Sequence, residues 1–168
     1  MEPRLESERT PMKNVTTVER KSERELVITR TFNGPARLVF DAWTKPELLK
    51  LWWTPKGYGI EFLSCEIDCR TGGRYKFVFS SPQFPKPMEF FGKYIEVIPG
   101  SKLVWTNEEG IEGGEVTTVT FEEIDGKTRV VMHELFATKE ALETDGSGAA
   151  EGMKVTFEQL DELLATNM

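Results

Sequence analysis

Histidine is almost missing from this chain. His133 is the only one among 168 residues, and Cys65 and Cys69 are the only cysteines. A zinc site built from Cys and His needs three or four ligands, so this inventory argues against one. Nucleophilic hydrolysis needs an activated Ser, Cys or Thr beside a base. No G-x-S-x-G elbow is present, and His133 has no evident nucleophile to serve. It shares strand parity with Val131 and Leu135 and reads as a surface or structural histidine. A dinucleotide fingerprint is also absent. Gly72-Gly73 and Gly113-Gly114 read as hairpin glycines, because neither pair lies between a strand and a helix. No cofactor is expected.

Positive charge is in short supply: 21 basic residues face 28 acidic ones, for a net charge of -7. Nucleic-acid binding is driven by Lys and Arg neutralising phosphates, so that partner class is disfavoured. Anionic membrane surfaces are disfavoured for the same reason. No apolar run approaches the roughly 20 residues of a membrane span. The opening MEPRLESERTPMKN lacks the apolar core of a secretion signal, and a cytoplasmic location is expected. Cys65 and Cys69, on one strand, would lie roughly 13 Å apart at about 3.3 Å per residue. That exceeds the roughly 7 Å limit for a disulfide, so two reduced thiols are expected.

The length fits one domain, able to bury about 70% of its unfolded surface. Residues 1–21 are charged and weakly patterned and read as a flexible arm, with a short strand at Val15–Val18 as an added feature. Residues 22–168 read as the single domain. Its centre of organisation is the stretch Arg30–Pro55, RTFNGPARLVFDAWTKPELLKLWWTP. Asn33-Gly34 ends a strand, and Pro35 fits the first turn of a helix. Leu38, Val39, Ala42 and Trp43 recur at helical spacing. Pro46 restarts the chain in a second short helix. Of the adjacent Trp52 and Trp53, one is expected in the core and the other at a cavity or rim, since neighbours on a helix face different ways.

Six antiparallel strands are then expected. Leu63, Cys65, Ile67 and Cys69 share one face of the first, and Tyr75, Phe77 and Phe79 share one side of the second. Gly92, Tyr94 and Glu96 share parity on the third, Leu103–Thr106 forms the fourth, and Asp125-Gly126 joins the last two. Glu108–Gly114 reads as an acidic turn and Thr138–Glu143 as a helical turn. A long helix from about Gly148 to Ala165 closes the chain. Ala149, Met153, Phe157, Leu160 and Leu164 form its apolar stripe, with Lys154, Glu158, Asp161 and Glu162 outside. Only this helix is long enough to cover the sheet.

Several of these segments carry motifs. Arg30, Phe32, Pro35, Val39-Phe40, Ala42-Trp43-Thr44, Pro46-Glu47, Leu49 and Trp52-Trp53-x-Pro55 form one set. Asp68, Arg70, Gly72-Gly73 and the Tyr75–Phe79 alternation form a second, and Phe90-x-Gly92-x-Tyr94-x-Glu96-Val97-x-Pro99 a third. Leu103-Val104-x-Thr106 and Gly152-Met153 with Leu160-Asp161-x-Leu163-Leu164 complete the pattern. The chain thereby resembles the START-like SRPBCC superfamily, and within it the domains similar to the activator of heat-shock-protein-90 ATPase. Asn33-Gly34 departs from the usual Asp-Ala type pair, but both fit a turn. The resemblance covers roughly Glu25–Ala165. It implies an α+β helix-grip fold, a curved antiparallel sheet around the C-terminal helix with a cavity between them.

Candidate cavity residues are Trp52, Trp53 and Phe62 near the helices, then Tyr75, Phe77 and Phe79. Tyr94, Trp105 and Phe136 on later strands and Met153 and Phe157 on the last helix complete the set. Apolar pockets with a few polar groups are the usual form of small-ligand sites. Arg30 and Glu134 occupy apolar-parity positions. A buried charge needs a partner, so they are expected either to pair with each other or to serve as polar anchors. Asp68 and Arg70 read as a surface pair near a turn.

Three functions compete. The first is a binding protein for a small hydrophobic or amphipathic ligand, a lipid or a metabolite. The second, implied by the resemblance, is a module acting on a chaperone partner. The third is a cofactor-free cyclase or hydrolase using an acid in the cavity, for which Glu134, Glu66 and Tyr94 are the only candidates. Homodimerisation stays open.

Overall fold

The computed structural model describes residues 14–108 and 115–167. Two strands open the chain, β1 (Thr17–Arg20) and β2 (Glu25–Phe32), followed by helices α1 (Ala36–Thr44) and α2 (Pro46–Leu49). Six strands succeed them: β3 (Glu61–Ile67), β4 (Arg74–Ser80), β5 (Met88–Ile98), β6 (Lys102–Asn107), β7 (Glu115–Ile124) and β8 (Lys127–Leu135). A short helix α3 (Lys139–Ala141) and a π-helical turn (Leu142–Gly146) lead into the long helix α4 (Ser147–Asn167).

All eight strands form one antiparallel sheet in the order β1-β2-β8-β7-β6-β5-β4-β3. The first long strand therefore lies beside the last, and α4 packs against β2 and α1. This is the α+β helix-grip arrangement that the resemblance implies, with a curved sheet around the C-terminal helix. No described helix is long and apolar enough to cross a membrane.

Local chemistry explains the elements. In β2, Leu26, Ile28, Arg30 and Phe32 are buried in strict alternation, the period-2 signature of a strand with one covered face. Pro35 sits at the N-cap of α1, and the Ala36 amide is satisfied by Glu123 Oε1 of β7 at 2.9 Å. Lys45 is extended, as a residue before proline prefers to be, and Pro46 opens α2. The β7–β8 hairpin turns on Asp125 and Gly126, with φ of 55° and 79°.

Four expectations change. The short strand expected at Val15–Val18 within the span 1–21 is β1, shifted to Thr17–Arg20, and it pairs with β2 from Thr17 opposite Thr29 to Arg20 opposite Leu26. Residues 1–13 lie outside the described residues, as does most of the Glu108–Gly114 turn.

In β3 the register shifts between Phe62 and Ser64. The extra residue turns Leu63 out to 54% exposure, while Phe62 and Cys65 both pack on the core.

A second shift, between Tyr94 and Glu96 in β5, does the same. Gly92 and Tyr94 stay inside, Ile95 faces solvent, and Glu96 leaves the inner face to meet Lys102 at 3.0 Å.

Asp161 is not on the outer side of α4: only 16% exposed, it faces β2.

Candidate functional site

Trp43 of α1 is the hub of the core. Its ring meets those of Trp52, Trp53, Trp105, Phe121 and Phe157 at centroid distances of 4.9–6.1 Å. These edge-on and tilted contacts are the arrangements aromatic quadrupoles favour. Between this hub, the sheet and the middle of α4 the packing leaves a cavity of about 310 Å³. Its size is at the lower end of ligand pockets, which run roughly 300–1,000 Å³.

One end of the cavity is aromatic: Tyr75, Phe77 and Phe79 of β4 with Phe90 of β5. Trp43, Leu49, Trp53 and Pro55 form the side next to α1, and Gly152, Met153 and Thr156 of α4 line it as well. The other end is polar and belongs to β5–β8. Tyr94, Trp105, Thr117 and Glu134 are successive partners across four strands, and all line the cavity. Asn107 and Glu115 form the neighbouring pair at the same end.

Hydrogen bonds knit part of this end together. The Tyr75 hydroxyl lies 2.7 Å from the Thr106 carbonyl and 3.1 Å from Asn107 Oδ1. Asn107 Nδ2 donates to Thr117 Oγ1 at 3.1 Å. Tyr75 reaches Thr106 where β5 and β6 come unusually close. A Cβ on Gly92 would lie 1.9 Å from the Thr106 oxygen, so only glycine fits there.

Two buried polar atoms of cavity-lining residues have no hydrogen-bond partner among the described residues. They are Glu134 Oε1, an acceptor, and Trp43 Nε1, a donor. Glu134 is 7% exposed. Burial penalises its charged form and pushes its carboxyl up to about 7. The Tyr94 hydroxyl is raised well above the ordinary phenol range, mainly by burial and then by the Cys69 and Cys65 thiols. Those two thiols are free, and burial pushes each to about 11. Among the described residues no group of three His, Cys, Asp or Glu could hold a metal ion.

Of the residues expected at a cavity, Trp53, Tyr75, Phe77, Phe79, Tyr94, Trp105 and Met153 line this one. Four do not. Trp52 is fully buried, its indole N–H donating to the Ala42 carbonyl at 2.9 Å, so it is the core member of the tryptophan pair. Phe157 is fully buried behind Phe32 and Trp43. Phe62 packs on Phe77 and Phe79 outside the lining, and Phe136 belongs to a separate cluster with Leu26 and Leu142.

Arg30 and Glu134 do not pair. Arg30 stands opposite Val130 in the β2–β8 register, and Glu134 opposite Leu26. Arg30 instead reaches Asp161 Oδ2 of α4 at 3.0 Å and Thr16 Oγ1 at 3.0 Å. Its role is to fasten α4 to the sheet, and it is not among the lining residues. Glu66 is exposed on β3, away from the cavity. Asp68 and Arg70 do form an exposed pair at 3.0 Å, and His133 meets Glu25 at 2.7 Å on the outer parity of β8.

Sequence reasoning missed Asn107, Glu115, Thr117 and Thr156. Thr117 carried a readable signal, a polar residue in phase with Val119 and Phe121. Gln159 was missed too. Buried on α4, it donates to the Trp52 and Thr54 carbonyls at 3.1 and 2.9 Å and accepts from the Lys56 amide at 2.9 Å. It thereby fixes the loop that presents Trp53.

Comparison with known proteins follows the same outline. Residues 33–165 match the family described as Activator of Hsp90 ATPase homolog 1-like protein. A crystal structure from Rhodobacter sphaeroides superposes with a TM-score of 0.81 at 23% identity, over 91% of this chain and 99% of that one. A protein from Nitrosomonas europaea gives 0.76 at 26%, over 87% and 97%. A solution structure from Staphylococcus epidermidis gives 0.75 at 27%, over 90% and 95%. No curated protein matches the sequence significantly.

Proposed function

The chain belongs to the Activator of Hsp90 ATPase homolog 1-like family, and from that premise we propose that it is a cytoplasmic binding protein for a small amphipathic ligand. The observation that carries the reading is the cavity of about 310 Å³ between sheet and helix, aromatic at one end and polar at the other. A ligand head group can satisfy the two unpartnered polar atoms of the residues that line the cavity. The aromatic end offers rings to an apolar body. Glu134 and Trp43 supply one acceptor and one donor to orient its head.

The chaperone-acting reading rests on the family's description alone. Native mass spectrometry after incubation with a lipid and metabolite library separates the two. A retained small molecule supports the binding protein. Recovery of the bare chain, together with co-purification of a chaperone, contradicts it.

A further inference from the structure

The polar end of the cavity has a sign. Among the residues lining it, the titratable groups are Glu134 of β8, Glu115 of β7, Tyr75 of β4 and Tyr94 of β5. None of them is cationic, and α1, α2 and α4 contribute no charged side chain to the lining among the described residues. Among the described residues the buried cation is Arg30, which is engaged by Asp161 and lies outside the cavity. Glu134 is more than nine-tenths buried, and its Oε1 accepts no hydrogen bond from any described residue. Its cross-strand neighbour Thr117 accepts from Asn107 Nδ2 at 3.1 Å, and no hydrogen bond runs from Thr117 to Glu134 among the described residues. A buried carboxyl oxygen without a hydrogen-bond partner, in a chamber with no cation among its described lining residues, is complementary to a ligand that brings the missing donor and positive charge.

We propose that the cavity binds a lipophilic amine, with its protonated nitrogen on Glu134 and its apolar body among the rings of β4 and β5. This rests on the binding-protein reading above and names the ligand class for it. Trp53, Tyr75 and Phe77 add ring faces, which attract ammonium groups as well as apolar chains. The same geometry rejects fatty carboxylates. An anionic head would meet two glutamates and no cation among the described lining residues.

Proton linkage gives a second signature. An ammonium ligand keeps its charge up to roughly pH 10, near the ordinary value for a lysine amine. Glu134 loses its proton near neutrality, held up there by burial. Amine affinity should therefore rise as the pH passes upward through about 7, while the affinity of an uncharged ligand stays level.

Octylamine, octanol and octanoate share one apolar chain and differ in the head group, so calorimetric titration of the three isolates that head. At about pH 8 the expected order is octylamine about tenfold or more tighter than octanol, with octanoate weakest. At about pH 5.5 amine and alcohol should converge. In Glu134→Gln they should bind alike at both pH values. Octanol equal to octylamine at about pH 8, or an amine preference that survives in Glu134→Gln, overturns the proposal and leaves the binding-protein reading standing. Failure of all three to bind overturns both. The wild-type pH profile decides the matter without the variant should Glu134→Gln not fold.

Discussion

Gln159 on the C-terminal helix holds the Trp52 carbonyl at 3.1 Å, across 107 positions of sequence. Its three hydrogen bonds run to backbone groups of the loop between α2 and β3, and the side chain is 8% exposed. Replacing it with leucine leaves the buried Trp52 carbonyl and the half-buried Thr54 carbonyl and Lys56 amide without that partner. Such orphaned groups cost about 1–3 kcal/mol. Gln159→Leu should therefore lower the urea midpoint. Hydrogen exchange at Trp53 and Lys56 should speed up by more than the global loss accounts for. Unchanged exchange there would mean that the loop is held by its aromatic packing alone.

Arg30 and Asp161 join the sheet to the same helix. Breaking a buried pair from one side leaves an uncompensated charge and costs about 3–5 kcal/mol. Arg30→Met should show a loss of that order, and the double variant Arg30→Met/Asp161→Leu a smaller one. If the double variant is as unstable as the sum of the singles, the pair is not coupled.

Phe157 tests the packed side of α4. It is fully buried among Phe32, Trp43 and Trp52 and does not line the cavity. Phe157→Ala should cost about 3–5 kcal/mol and lower Tm by many degrees. A drop of only a degree or two would place it on an open wall instead.

Glu134 makes stability pH-dependent. Its carboxyl is raised from an ordinary 4.5 to about 7 by burial. Between those values the folded chain holds a proton that the unfolded chain has released. Its contribution to stability thus falls as the pH rises from about 4.5 to about 7, then levels. The full difference is on the order of 3 kcal/mol. Urea unfolding at about pH 5 and about pH 8 should show wild type losing more stability than Glu134→Gln. Equal losses would mean that Glu134 is solvated.

Much of the architecture was legible because it is written in periodicity. The alternation in β2 buries Ile28 and Phe32, and the stripe on α4 buries Phe157, Leu160 and Leu164; Met153 is only partly buried, and the burial of Ala149 lies outside the described residues. The two register shifts were not legible. A bulge inserts one residue without a local signature, so Leu63 and Glu96 were assigned to the face they leave. Site legibility followed the same line. Polar residues in apolar phase marked Arg30 and Glu134 as buried, but not whom they meet. Asp161 reaches Arg30 only because α4 crosses β2 with that face turned inward, and rotation about a helix axis is a tertiary property. The Trp52–Trp53 pair divided as adjacency requires, one into the core and one onto the cavity.

The central claim is that the space between sheet and helix is open to a ligand. Met153 lines it from α4 and is only partly buried. The most direct measurement is fluorescence titration of the neutral dye N-phenyl-1-naphthylamine into wild type and Met153→Trp, with Tm recorded for both. An open cavity predicts micromolar binding with tryptophan quenching and a raised Tm for wild type, since the dye binds only the folded state. It also predicts a Met153→Trp protein that takes up no dye yet melts close to wild type. No uptake by wild type, together with a Met153→Trp protein destabilised by the roughly 1–3 kcal/mol of an overpacked core, would contradict the account.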